Sequence, residues 1–341
     1  MEIRKVQVTG GSSYVITLPK EWVQAQKIAK NEPLGMVVQS DGSLLVTKEI
    51  NEKTISRVRK IDVTAIDDPT YLFRLLIGIY IAGFTTIELF SRTRLPPSIG
   101  LIVRDFTQVA IGPEIVEETD NRIVLKDLLN PTEMPFDNTL KRMYVIVKNM
   151  YLDAMNAMET RNGKLIEEII SRDSDVDRLH WLIARQSSIV LKNPEVARRM
   201  GVSPHTVMNA MIISRIIERI GDHAVRWAEN ARQIIDHDLD ARILKHMKDA
   251  STLALSIFDR SITAYYKADI RESHRNIEQV STLEELCEEL NQLVMEEEPD
   301  VAVALRYISE SIRRSGEYAG DISETVMNYL VEEKIRSFSL L

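Results

Sequence analysis

The second part of the chain, from residue 136 onward, carries a nearly continuous helical pattern. Apolar residues recur there at three- and four-residue spacing, which is typical of helices with one buried face. Short breaks separate the predicted helices, which cover 137–159, 162–192, 203–236, 239–267, 271–296 and 298–335. Long helices joined by short connections predict an all-α region built from helical bundles.

One of these helices contains residues that a buried stripe does not explain. In RIIERIGDHAVRWAEN, at 215–230, Glu218 and Asp222 stand one turn apart. Like charges at this spacing repel by roughly a few tenths of a kcal/mol. Gly221 lies between them, and glycine costs about 1 kcal/mol relative to alanine inside a helix. Local helix stability therefore does not account for this segment.

A second pair of carboxylates occurs on the preceding predicted helix. The segment SRDSDVDRLHWLIARQ places Asp173 and Asp177 one turn apart. If the two helices pack antiparallel, four carboxylates meet in one groove, and oxygen-only ligands suit hard cations such as magnesium, manganese or ferric iron. The alternative is a solvated acidic face whose charges pair with nearby arginines, namely Arg215, Arg219 and Arg226.

The first 135 residues predict two smaller units. Residues 1–50 read as short strands, a short helix at PKEWVQAQKI and a hairpin at SDGS, 40–43. A unit this small buries little by itself and is expected to need a partner chain. Residues 52–135 alternate strand and helix patterns and end in a hairpin around Asp120 and Asn121, which predicts a small α/β module.

The helical region contains an internal similarity. IERIGDHAVRWAE, at 217–229, aligns with IRRSGEYAGDISE, at 312–324, and pairs Gly221 with Gly316. We therefore predict two three-helix-bundle repeats, 136–236 and 237–341. The first repeat carries extra residues, which we place around NPEVARRMGVSP.

Composition limits the classes of function. The chain is 44% hydrophobic and 28% charged with a net charge of -8, so DNA contact is expected to be confined to one module. The single cysteine, Cys287, excludes a disulfide framework and a cysteine-rich zinc site. We see neither a signal peptide nor an apolar run of roughly 20 residues, and we expect a cytoplasmic protein without a transmembrane segment.

Two segments of the helical region, DSDVDRLHWLIARQ and RIIERIGDHAVRWAEN, are part of the pattern repeated across the two bundles. On these segments, the chain resembles the PhoU family of phosphate-uptake regulators over about 137–335. In that family, paired E(D)xxxD motifs on neighbouring helices hold multinuclear iron or zinc clusters, or magnesium. The resemblance implies that Asp173, Asp177, Glu218 and Asp222 are metal ligands.

The second repeat departs from this pattern. Arg313 matches Glu218 and Val280 matches Asp173, whereas Glu317 matches Asp222 and Glu284 matches Asp177. An arginine among the ligands repels a cation. We expect one metal site, in the first repeat.

RKVQVTGGSSYVITLPKEWVQAQKI followed by VVQSDGSLLVTKE resembles the AbrB/SpoVT type of DNA-binding domain. In that type, two chains swap hairpins into one barrel, which implies a homodimer, and its fusion to a PhoU-like region resembles archaeal regulators. We expect Arg4, Lys5, Lys20 and Lys27 to contact DNA phosphates. They are alternatively ordinary surface cations, since residues 1–50 hold six Lys/Arg against five Asp/Glu.

These observations favour a dimeric regulator that couples phosphate status to transcription or to a phosphate transporter. Phosphate is sensed either directly at the metal or through contact with a transporter ATPase, and the resemblance favours contact. The first alternative is an adaptor that docks on that ATPase without binding DNA. The second is a carboxylate-bridged metalloenzyme. We do not expect an enzyme, because no Glu-x-x-His motif occurs on the site helices and His223, which directly follows Asp222, points about 100° away from it around the helix.

Overall fold

The computed structural model describes residues 2–38, 42–48 and 57–338, with side chains up to residue 331. The chain forms two compact units, Met1–Ser56 and Arg57–Leu341. The predicted boundary between residues 50 and 52 and the centre of the predicted hairpin turn, at residues 40 and 41, lie outside the described residues.

The first unit contains the predicted short strands and short helix, and its strands form two separate two-stranded antiparallel sheets. The elements are β1 (Gln7–Thr9), β2 (Ser13–Val15), α1 (Lys20–Ala25), β3 (Gly35–Val38) and β4 (Leu44–Thr47). β1 pairs with β2, and β3 pairs with β4 with Val38 opposite Leu44. None of the described residues of this unit is buried. Its exposed apolar side chains include Ile3, Val6, Val8, Tyr14, Ile16, Met36, Val38 and Leu44.

The second unit begins with the predicted α/β module. Its elements are β5 (Val58–Asp62), α2 (Pro69–Ile81), β6 (Thr86–Phe90), α3 (Pro97–Val109), β7 (Pro113–Glu118) and β8 (Arg122–Asp127). The strand order is β5-β6-β8-β7, in which only β5 and β6 run parallel. Buried side chains from α2, α3 and one face of the sheet form its core. Asp68 caps α2 by accepting hydrogen bonds from the backbone of Thr70 and Tyr71.

The remainder of the second unit is helical. The helices are α4 (Phe136–Thr160), α5 (Gly163–Ser171), α6 (Asp173–Lys192), α7 (Pro194–Met200), α8 (Pro204–Ile234), α9 (Ala241–Lys267), α10 (Ile270–Val294) and α11 (Pro299–Phe338). α4, α6 and α8 pack together, α9, α10 and α11 pack together, and α8 packs along α11. One continuous hydrophobic core contains buried side chains from each of these helices except α7, whose apolar side chains are partly buried against it.

The single helix predicted over 162–192 is divided at Arg172 into α5 and α6. Two serine hydroxyls bond to backbone carbonyls beside the break: Ser171 donates to Glu168 and Ser174 donates to Ser171. Such local bonds compete with regular helix geometry. The NPEVARRMGVSP segment forms α7, which ends at Gly201 in the left-handed conformation.

Two helix connections share one construction. The residue that follows α4 is Arg161, with φ 52°, and the residue that follows α9 is Ala268, also with φ 52°. In each case the next residue, Asn162 or Asp269, caps the following helix with its side chain. The two connections are 107 residues apart, whereas the aligned segments 217–229 and 312–324 are 95 residues apart, as expected if the first repeat carries about a dozen extra residues between them.

The α/β module is joined to the bundle through α6. Arg185, on α6, is 1% exposed and donates from Nε to Oδ2 of Asp127, at the end of β8, at 3.0 Å. Its guanidinium also donates to the backbone carbonyl of Tyr80 and lies 4.7 Å from the centre of that ring. A buried ion pair therefore links the helix that begins with Asp173 to the sheet.

The two aligned glycines lie in different surroundings, which predicts opposite responses to alanine. A Cβ at Gly221 would lie 3.4 Å from Val147 and 3.5 Å from Val176, which are ordinary contacts, whereas a Cβ at Gly316 would overlap the side chain of buried Leu283. We expect Gly221→Ala to stabilise the protein by up to about 1 kcal/mol. Gly316→Ala is expected to cost about 1–3 kcal/mol.

Urea unfolding of the two variants, compared with the unchanged protein, measures this difference. Since both substitutions add one methyl group to a long helix, each is the control for the other. Equal effects would show that the helix packing around the two glycines is the same.

Within the described residues, no helix is long and apolar enough to cross a membrane.

Candidate functional site

The structure brings the four predicted carboxylates together between α6 and α8. Asp173 and Asp177 lie on the first two turns of α6, and Glu218 and Asp222 lie on α8, which packs against it. Glu218 is buried, with 8% of its surface exposed, and the other three are half-buried. The charge of Asp222 raises the pKa of each of the other three carboxyl groups, so the four acids lie within electrostatic reach of one another.

Burial and mutual repulsion disfavour the charged forms of these acids. Burial, followed by the charge of Asp222, raises the pKa of Glu218 to about 7. Burial, followed by the charge of Asp173, raises the pKa of Asp177 to about 6. Burial also raises the pKa values of Asp173 and Asp222. Together they form a concentration of negative charge that proteins usually compensate.

Arginines compensate only part of this charge. Burial raises the pKa of Asp222 more than three nearby positive charges lower it, those of Arg226, Arg215 and Arg219. The guanidinium of Arg215 donates to Oε1 of Glu218 at 2.7 Å, but the side chain of Arg215 is itself half exposed. The other oxygen of Glu218, Oε2, is buried and has no hydrogen-bond partner among the described residues. A buried carboxylate oxygen without a donor is costly, and a bound cation would satisfy it.

The donor set fits a hard cation by its chemistry, since all four side chains offer carboxylate oxygens. In the described part of the chain, however, no three His, Cys, Asp or Glu side chains stand close enough together to hold one metal ion as they are placed. The residues therefore supply the charge and oxygen ligands that such an ion needs, but they are not gathered around one centre.

Glu229 is a further acid near this site that the sequence analysis did not single out. Its charge raises the pKa of Asp173, after burial and Asp222. The signal was present in the sequence, because Glu229 follows Asp222 by seven residues and seven residues are close to two helical turns. The acidic surface therefore extends along α8 toward its C-terminal half.

The corresponding surface of the second half is neutralised internally. Arg313 donates to Glu310 at 2.8 Å and also bonds to Glu317. Arg314 donates to the other oxygen of Glu317 at 2.9 Å. Val280, which matches Asp173, packs against the hydrophobic core. Guanidinium groups thus occupy the place where the first half has unbalanced carboxylates.

Burial and neighbouring arginines lower the pKa values of the two histidines on the site helices. Burial, followed by the charge of Arg215, lowers the pKa of His180 to about 4, and its Nδ1 lies 3.1 Å from the hydroxyl of Ser214. Burial, followed by the charge of Arg226, lowers the pKa of His223 to about 4. His223 packs beside the ring of Tyr318 at 5.7 Å between centres. Both histidines are therefore neutral near pH 7.

The four cations predicted to contact DNA are all exposed. Arg4 forms an ion pair with Glu2 ahead of β1. Lys20 begins α1, and Lys27 follows it with φ 51°. The carbonyl of Lys27 accepts a hydrogen bond from Nζ of Lys48 at 3.0 Å, which fixes the end of this helix against the second hairpin.

Comparison with known proteins identifies the helical region. Residues 140–231, which contain both carboxylate pairs, match the PhoU domain. The chain carries a PhoU domain. Residues 7–54 match a second family, described as antidote-toxin recognition MazE, bacterial antitoxin. The N-terminal unit is therefore a MazE/AbrB-like domain, and it precedes the PhoU domain in the same chain.

Curated relatives agree with the PhoU assignment. The chain is 19% identical over 206 residues to phosphate-specific transport system accessory protein PhoU homolog 1 of Thermotoga maritima. It is 24% identical over 207 residues to phosphate-specific transport system accessory protein PhoU homolog of Caulobacter vibrioides. Each match covers 58% of this chain, and it covers 87% and 86% of these relatives respectively.

Solved PhoU structures share the fold. The phosphate transport system regulatory protein PhoU from Streptococcus pneumoniae matches with a TM-score of 0.50 at 17% identity and covers 57% of this chain and 92% of its own. PhoU from Pseudomonas aeruginosa matches with a TM-score of 0.52 at 18% identity and covers 58% of this chain and 96% of its own. At these identities, the likeness shows a PhoU-like helical bundle fold and no more.

Proposed function

We propose that this protein is a non-enzymatic regulator of phosphate uptake or phosphate signalling that binds DNA. The observation that carries the proposal is the presence of a PhoU domain and a MazE/AbrB-like domain in one chain. The PhoU-type relatives are named as accessory proteins of a phosphate-specific transport system. A DNA-binding unit fused to such a domain allows the protein to act directly on transcription.

In this proposal, the PhoU domain holds a divalent cation at Asp173, Asp177, Glu218 and Asp222. Their raised pKa values and the unpartnered Oε2 of Glu218 support it, because a cation would favour the charged forms and supply the missing partner. Magnesium and manganese suit this oxygen-only set, and iron and zinc clusters are known in the family. The second half binds no cation, because Arg313 already balances Glu317.

We also propose that two chains associate through their N-terminal units. The described residues of this unit include many exposed apolar side chains and no buried ones, so the unit has no core of its own. A second copy could cover that surface by exchanging hairpins into one barrel. The dimer would then present Arg4, Lys5, Lys20 and Lys27 twice, as binding to both halves of a DNA site requires.

An adaptor that docks on a phosphate transporter ATPase is the second candidate, and it is supported by relatives that are named as accessory proteins of a phosphate-specific transport system. It needs the PhoU domain but not the cations of the N-terminal unit. Measurements of DNA binding therefore separate the two candidates.

Lys20→Ala and Lys27→Ala are expected to weaken DNA binding and to lower the slope of log affinity against log salt by about one per lost phosphate contact. Fluorescence anisotropy with a duplex DNA, measured across a range of salt concentrations, gives both quantities. Lys30→Ala is the control, because Lys30 is an exposed lysine of the same unit that we do not assign to DNA. Equal slopes in all variants would show that these two lysines do not contact DNA phosphates.

A further inference from the structure

A groove of about 360 Å³ lies between α8 and α11, beside the face of α8 that carries the carboxylates. It is lined by His223, Arg226 and Asn230 on α8 and by Tyr307, Glu310 and Ser311 on α11. Its volume falls within the range of small-molecule sites, which are mostly apolar with a few polar groups. The groove lies where the two halves of the bundle meet.

The groove contains hydrogen-bond donors that the protein itself does not use. Arg226 is exposed, and its guanidinium forms no ion pair within the described residues. His223 is buried, with 7% of its surface exposed, and its Nδ1 has no hydrogen-bond partner in that part of the chain. The phenol of Tyr307 is 59% exposed at the rim. Uncommitted donors around a concave site favour a ligand with several acceptor oxygens.

The charges around the groove also favour an anion. The guanidinium groups of Arg219 and Arg314 lie 5.7 and 5.8 Å from the centre of the Tyr318 ring, which packs beside His223. Of the acids, Glu310 binds Arg313 through both oxygens, at 2.8 and 2.9 Å. The second acid, Glu317, is paired with Arg313 and Arg314. Glu310 and Glu317 are thus neutralised, while Arg226, whose charge acts on Asp222, forms no direct ion pair with it.

We infer that this groove binds a small oxyanion of the phosphate type, free or esterified, with Arg226 as its main charged contact. A planar guanidinium matches two oxygens of a phosphate group, and such charge-assisted hydrogen bonds are among the strongest in proteins. Tyr307 supplies a further donor, and so does His223 in the tautomer that carries its proton on Nδ1. The apolar part of the groove leaves room for a short organic group on a phosphate monoester.

Arg226 follows Asp222 by one helical turn and therefore stands between the groove and the carboxylates. An anion bound to Arg226 offsets a cation charge that otherwise repels a metal ion at Asp222. Binding of the anion and of the metal ion would then strengthen each other by the same factor. This second part of the inference rests on the proposed cation site, whereas anion binding itself does not.

The test uses isothermal titration calorimetry on the full chain at fixed ionic strength, with chelator present so that no divalent cation contributes. The probes are inorganic phosphate and glycerol 3-phosphate, with sulfate as an oxyanion of similar shape. Saturable binding of either phosphate compound is expected, and the tighter of the two identifies the source as free or esterified phosphate. Arg226→Gln is expected to weaken it by about tenfold or more.

Arg232→Gln is the matched control, because Arg232 lies on the same helix and pairs with Glu167 outside the groove. This variant is expected to bind like the unchanged protein, and Tyr307→Phe is expected to bind a few-fold more weakly. The unfolding midpoint of each variant shows that the fold is intact. The inference is overturned if the unchanged protein shows no saturable binding of either phosphate compound, or if Arg226→Gln binds as tightly as Arg232→Gln.

Manganese titrations with and without saturating phosphate measure the coupling. A gain in manganese affinity that disappears in Arg226→Gln supports it, and equal affinities overturn it. If manganese does not bind at all while phosphate does, the proposed cation site fails and the anion site stands.

Discussion

The Asp127→Ala variant is expected to lose about 3–5 kcal/mol of its free energy of unfolding. Removing one partner of a buried ion pair leaves the other charge without compensation in a nonpolar environment. Arg185 is almost completely buried, and Asp127 accepts from two of its nitrogens. Asp127 also accepts from the backbone N–H of Leu129 at 3.1 Å, and this turn would be lost as well.

Urea unfolding followed by circular dichroism measures this effect. Glu118→Ala is the control, because the pair of Arg104 with Glu118 is half exposed and such pairs contribute about 0–1 kcal/mol. Changing both partners, as Asp127→Ala with Arg185→Met, is expected to recover much of the loss, since no buried charge then remains. A loss below about 1 kcal/mol in the single variant would contradict the buried pair as the link between the α/β module and the bundle.

The second large effect is expected from Glu218→Gln in metal-free protein. The folded pKa of Glu218, about 7, lies above the ordinary value of 4.5, so the folded state prefers the protonated carboxyl. The stability that Glu218 contributes is therefore present below about pH 4.5 and is lost as the pH rises through 7. With chelator present, the unchanged protein should lose about 2 kcal/mol more than Glu218→Gln between pH 5 and 8.

The same substitution should have the opposite effect on metal binding. Glutamine removes the repulsion among the acids, but it also removes one negatively charged ligand, so manganese affinity is expected to fall by about tenfold or more in Glu218→Gln and in Asp177→Asn. Asp175→Asn is the control, because Asp175 lies on α6 between the two proposed ligands and faces Arg178 instead. Manganese binding followed by electron paramagnetic resonance gives the affinities.

Two results would contradict this account of Glu218. Parallel pH profiles of the unchanged protein and Glu218→Gln would show that the carboxyl is not held in an unfavourable environment. Equal manganese affinities of Asp177→Asn and Asp175→Asn would show that the converging acids form a solvated face.

The helical region could be predicted closely because the residues that begin its helices lie next to or within them in the sequence. Asn162 caps α5, Asn193 caps α7, and Pro299 begins α11, as the breaks in the pattern indicate. The convergence of the acids followed from two facts, their spacing of four residues on each helix and the packing of α6 against α8.

Other features depend on pairings that the local pattern does not contain. Arg185 and Asp127 are 58 residues apart, and nothing near either residue in the sequence signals the other. The order β5-β6-β8-β7 likewise brings β8 beside β6, although β7 precedes it in the chain. The groove at Arg226 depends on the packing of α8 against α11, which joins the two halves of the bundle.

The internal repeat stays a prediction that some structural details support. The left-handed residues Arg161 and Ala268 end corresponding helices at the expected offset. The aligned glycines, however, have different neighbours, because only Gly316 lies directly against a leucine side chain. If the halves arose from one sequence, they have since diverged both at this packing site and at the carboxylates.

The most direct test of the proposed function is to sequence the genomic fragments that the full chain retains at near-physiological salt. The full chain is expected to enrich discrete promoter regions, including those of phosphate-uptake genes, while residues 57–341 and the Lys20→Ala, Lys27→Ala double variant should enrich none. Equal retention by residues 57–341 would place DNA binding outside the N-terminal unit. If the full chain enriches no site, the proposal that this PhoU-domain protein is a DNA-binding regulator is contradicted.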